Sequence, residues 1–139
     1  MWCKVVRREI YVKAQEQVDD KIVIGEDMLC SLYCLQLAKS MVCLDESFYV
    51  YRILNNSMMH SYNVKKFEHF ENTVRALVES EIVDDRRIYA YSFHALCNEY
   101  AGIAESVNSI SEFRDKIKGT QKFKLLYDMA SRVINQTAI

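Results

Sequence analysis

From Val64 to the C-terminus the sequence carries apolar residues at helical spacing, with no proline to interrupt them. That constrains the fold more than any other feature, because proline is the strongest helix breaker and a periodic apolar stripe specifies which helix face is buried. Phe67, Phe70, Val74, Leu77 and Val78 form one stripe; Ile88, Tyr91, Ala95, Leu96 and Tyr100 form a second. Asp84 and Asp85 stand where an N-cap and an acidic first turn belong. Residues 110–134 read as two helices parted at Gly119-Thr120, with Phe123, Leu126, Tyr127, Ala130 and Ile134 facing inward. Residues 64–139 are therefore expected to form a bundle of three to four helices.

The first 63 residues read differently. Arg7 to Gln17 has helix-forming composition, and Trp2 to Val6 suits either a short strand or the entry to a helix. Lys21 to Ile24 is a short apolar run ended by Gly25. From Glu26 to Lys39 the apolar positions Met28, Leu29, Leu32, Tyr33, Leu35 and Leu37 recur near helical spacing, after acids in the first turn and with a lysine at the end. Met41 to Leu44 and Phe48 to Leu54 read as two strands joined by Asp45-Glu46-Ser47, with Asn55-Asn56-Ser57 breaking the pattern. The expected fold class is α+β and mainly helical, with residues 1–63 and 64–139 as its two parts.

Composition excludes several classes of function. With 139 residues, half of them hydrophobic, the chain can bury one ordinary core. A net charge of -1 argues against a general nucleic-acid binder. No window approaches the apolar length of a transmembrane helix, and Lys4, Arg7, Arg8 and Glu9 interrupt the N-terminal apolar run. The expected location is the cytoplasm, the inner face of a membrane included. Cys3, Cys30, Cys34, Cys43 and Cys97 are odd in number and lack Cys-x-x-Cys spacing, so neither a disulfide framework nor a zinc knuckle is indicated. Cys30 and Cys34 would stack on one helix face. A redox pair or half a metal site is the sharper reading of them; burial among Leu29, Tyr33 and Leu37 is the better one.

The common enzyme signatures are missing: no Gly-rich phosphate loop, no His-Glu-x-x-His, no Gly-x-Ser-x-Gly and no Asp-x-Asp. His60, His69 and His94 lie far apart without mutual ligand spacing, and His69 and His94 read as ordinary helix residues. His60 follows the Asn-Asn-Ser turn and is the only histidine here entertained as a metal ligand. Glu26-Asp27, at the start of a helix after Gly25, admits two readings. Acids in the first turn complement the helix dipole, contributing on the order of 0.3 to 1 kcal/mol. A carboxylate projecting from a rigid helix start can also serve as a general base.

An ordered set of short motifs bears on that choice: Trp2-Cys3-Lys4-Val5-Val6-Arg7-Arg8-Glu9, then Gly25-Glu26-Asp27-Met28-Leu29, then Ala38-Lys39, Phe48-Tyr49-Val50-Tyr51-Arg52 and Ser57-Met58-Met59-His60. In order and spacing this set resembles the C-terminal half of bacterial family 2 glycosyltransferases, whose catalytic domain has the GT-A fold. Residues 64–139 resemble the variable helical tail of such enzymes. The resemblance implies that Asp27 is the general base and that Glu26 orients Asp27 or the acceptor. It places Arg52, Ser57 and His60, with Lys4 as the weakest member, on the donor-diphosphate side. For Arg52 an ion pair with Asp45 or Glu46 is an equal alternative.

The implied partners are a nucleotide-sugar donor and a glycan or lipid-linked acceptor, and the implied cofactor of an intact enzyme is a divalent metal, Mn or Mg. This chain lacks the Asp-x-Asp that would hold the metal and the strand-helix-strand unit that would bind the nucleotide. It is therefore expected to be a C-terminal fragment, inactive alone and needing no metal by itself. Apolar surface left on a cut domain is compatible with a homodimer or with peripheral membrane association. A different class of function, a stand-alone helical interaction module, would use the aromatics Tyr89, Tyr91, Phe93 and Tyr100 as its contact surface; burial of those aromatics in the core is the favoured reading.

Overall fold

The computed structural model describes residues 4–46, 50 and 63–136, the last three by their backbone alone. Among these residues there are six helices and no strand. The chain divides into two compact units, Met1–Leu54 and Asn55–Ile139.

In the first unit, helix α1 spans Arg8–Gln15 and α2 spans Glu26–Leu37. Helix α1 has Glu9 in its first turn and Lys13 in its last, each matched to the dipole end it faces. The two helices pack on each other around Ala14, Cys30 and Cys34, with Val6, Ile10, Val18 and Tyr33 against that cluster. Both cysteines are buried thiols, as their apolar spacing implied. Burial pushes the Cys30 thiol up, and the neighbouring Cys34 adds to the shift, so Cys30 is a packing residue rather than a reactive one.

Among the described residues no expected strand is found. Met41–Leu44 has no regular secondary structure and is exposed throughout, so its apolar run belongs to no sheet. A strand exists only where a partner satisfies its backbone groups, and no described segment offers a ladder. Lys4–Val6 is likewise irregular, and the described residues of the first half form two helices with no strand beside them. The α+β class with strands from a GT-A domain is therefore corrected to all-α for the described residues. Phe48–Leu54, apart from the irregular and exposed Val50, lies outside the described residues.

The second unit is built from α3 (Lys65–Ser80), α4 (Asp85–Glu105), α5 (Ile110–Thr120) and α6 (Lys124–Gln136). Helix α4 is central, packing against α3, α5 and α6. Its start is set by Asp84, whose side chain accepts a hydrogen bond from the Arg87 amide at 3.0 Å. Ser109 caps α5 by accepting from the Glu112 amide at 3.2 Å, and Glu112 accepts from the Asn108 amide in return. The break between α5 and α6 falls at residues 121–123, just beyond Gly119, which remains helical.

The apolar stripes meet inside this unit. Phe67, Val74, Ile103 and Leu126 are completely or almost completely enclosed, joined by Phe70, Leu77, Ile88, Leu96, Phe123 and Ala130. Phe67 stacks on Phe123 with ring centroids 5.9 Å apart. Val78, at the edge of its stripe, is exposed, and the Ile134 side chain lies outside the described set. Tyr100 and Tyr127 bring their hydroxyls together, and Thr120 meets the Tyr127 hydroxyl at 2.7 Å, a polar cluster tying α4, α5 and α6. Burial pushes the Tyr100 hydroxyl up, helped by its bond to Tyr127.

Candidate functional site

The candidate site starts from Gly25. Its φ of 86° is in the left-handed region, where a side chain costs energy and glycine does not. From there the chain turns into α2, whose amide of Leu29 bonds the Gly25 carbonyl at 2.9 Å. Glu26 and Asp27 are consequently the first two residues of α2, adjacent on its first turn, and no side-chain cap competes for that end. Glu26 is exposed and Asp27 is half-buried. The Ser31 hydroxyl donates to the Asp27 carbonyl at 2.7 Å, closing the first turn of the helix.

Below Asp27 on the same helix lies Cys30, whose thiol is held up further by the Asp27 charge. The carboxylate therefore sits at the boundary between the apolar interior of the first unit and its surface. The arrangement is chemically simple: an ionisable oxygen pair on a rigid helix start, with a second carboxylate next to it. It suits acceptance of a proton from a neutral hydroxyl, whereas two acids side by side disfavour an anionic ligand at the same spot.

Of the other residues nominated from the sequence, Lys4 is exposed in the irregular segment before α1. Arg52, Ser57 and His60 lie outside the described residues. The structure thus brings Glu26 and Asp27 together and bears on none of the donor-side set. Among the described residues no three His, Cys, Asp or Glu side chains converge as a metal would need. The described residues do not fit the divalent metal implied for an intact enzyme.

The second unit contains a shallow concavity lined by Asp84, Asp85, Arg86 and Tyr89. Within it Tyr89 donates to Asp85 at 3.2 Å and accepts from Arg132 at 3.1 Å. The aromatics considered as a contact surface are largely internal: Tyr89 is buried, Tyr91 packs edge-on against Phe70, and Tyr100 lies against Phe67. Phe93 alone of the four is exposed. Sequence periodicity did not register the buried Lys66–Glu99 pair across α3 and α4, 3.5 Å apart; the only signal was two charges falling on otherwise apolar stripes.

Comparison with known proteins gives one informative likeness. The chain is 26% identical over 146 aligned positions to an uncharacterized glycosyltransferase, EpsJ, of Bacillus subtilis (strain 168), covering 99% of this chain. It spans 41% of that relative's length. No known protein family matches the chain, and no solved structure does. The similarity, to a protein described as a glycosyltransferase, runs through both units of the chain. No helix among the described residues is long and apolar enough to cross a membrane.

Proposed function

We propose that this chain contributes the acceptor-side base of an inverting glycosyltransferase of the family 2 kind, with Asp27 as that base. The observation that carries the reading is the presentation of Asp27: half-buried, on the first turn of α2, directed there by the left-handed Gly25, in a chain similar to a glycosyltransferase over nearly all its length. The Asp27 carboxylate takes the proton from an acceptor hydroxyl as that oxygen bonds to the anomeric carbon of a nucleotide-sugar. The bond from that carbon to the diphosphate breaks, and the nucleoside diphosphate leaves with the electron pair. A carboxylate suffices because the hydroxyl acidifies as the new bond forms.

Glu26 orients the acceptor from the adjacent, exposed position. Arg52, Ser57 and His60, and more weakly Lys4, line the diphosphate side, where positive charge and hydrogen-bond donors stabilise the leaving group. A glycan or lipid-linked saccharide is the acceptor, and the divalent metal of the intact enzyme is bound by groups other than the described residues of this chain.

The test is Asp27→Asn in the full-length protein, with donor binding followed by titration calorimetry against a nucleotide-sugar panel and transfer followed by nucleoside diphosphate release. Transfer should fall by at least about 100-fold while donor affinity holds, since a positioned base contributes roughly 10²–10⁴-fold. Near-normal turnover by this variant would sink the assignment.

A further inference from the structure

The packing of α3 on α4 encloses two opposite charges. Lys66 Nζ lies 3.5 Å from Glu99 Oε1, and the two side chains are 8% and 7% exposed. Around them the packing is apolar and aromatic: Phe67, next to Lys66, faces Tyr100, next to Glu99, with ring centroids 6.4 Å apart. The other carboxylate oxygen, Glu99 Oε2, is fully enclosed and has no hydrogen-bond partner among the described residues. One lysine contact therefore meets only half of what an ionised carboxylate requires when taken out of water.

Among the described residues, Lys66 of α3 is the charged group that acts appreciably on Glu99. We infer that the Lys66–Glu99 pair is a proton-operated clasp between α3 and α4, in which Glu99 takes up a proton on mild acidification and the second unit becomes more stable as it does so. The balance of forces supports the direction. Burial pushes the Glu99 carboxyl above its ordinary value of 4.5, and the opposing attraction of Lys66 is the smaller effect.

The sign follows from linkage. Above the raised folded-state value both folded and unfolded chains hold Glu99 ionised, and the folded state bears the cost of the enclosed charge. As pH falls through that value the folded state protonates first, so stability rises; below 4.5 the unfolded chain is protonated too and the gain is complete. Exposed carboxylates paired with lysine or arginine work in the opposite direction, so the clasp is read as a difference between proteins.

The experiment is urea unfolding of the whole chain across the interval from neutral to mildly acidic pH, comparing wild type with Glu99→Gln, the neutral isostere. The two curves should differ most at neutral pH, with the variant the more stable, and converge in acid. Parallel curves would overturn the clasp. Should the variant not fold, carbon-13 NMR titration of the wild-type Glu99 carboxyl decides the matter. A midpoint above 4.5 supports the inference, and one at or below it defeats it.

Discussion

Gly25 carries more of the candidate site than its lack of a side chain suggests. At φ 86° it occupies backbone space that an L side chain makes costly, and Asp27 faces where it does because α2 begins immediately afterwards. Gly25→Ala should destabilise the first unit by about 1 kcal/mol or shift the start of α2; a denaturation midpoint equal to wild type would show that the turn relaxes freely. Asp27 itself illustrates why a single residue was half legible. Two acids after a glycine announce a helix start, and that was correct, but the same pattern serves dipole stabilisation and catalysis alike. Lys66 and Glu99 illustrate the opposite case. Their places on otherwise apolar stripes are the one local sign, and only the juxtaposition of α3 and α4 shows that they are enclosed together.

At the scale of the elements, helix boundaries follow local chemistry closely. Asp84 and Ser109 begin α4 and α5 through side-chain bonds to amides three residues on. Ser109→Ala should cost on the order of 1 kcal/mol, seen as faster amide exchange at the start of α5 and little change elsewhere. Helix α6 has a less local arrangement: Glu71 of α3 accepts from the Leu126 amide at 3.4 Å, so an acid from another helix serves its first turn. No sequence pattern around Lys124 could have announced that. The segment Met41–Leu44 misled for a related reason. Four apolar residues in a row have strand propensity, yet propensity is realised only against a partner, and the described residues supply none.

Across the whole molecule the two units differ in how much apolar surface they enclose. Of the described hydrophobic residues that are buried, five lie in the first unit and twelve in the second, Phe67, Ile103 and Leu126 among them. Burial of this kind is the main stabilising term, so amides of α1 and α2 should exchange with solvent faster than those of α3, α4 and α6 in hydrogen-exchange mass spectrometry. Equal protection in both units would show that something other than the described core holds the first one. A Leu126→Ala substitution, at a fully enclosed site, should lower the stability of the second unit by roughly 2–5 kcal/mol.

The sequence by itself determined the helices of the second unit, the Asp84 cap of α4, most of the inward stripes and the position of Glu26 and Asp27 at a helix start, because each depends on residues within a turn or two of one another. Tertiary structure alone decided that Met41–Leu44 is no strand, that Tyr100, Tyr127 and Thr120 share one polar cluster, and that Lys66 and Glu99 are enclosed as a pair. Those outcomes depend on which distant segments meet, and the free energy of a buried group is set by its neighbours in space.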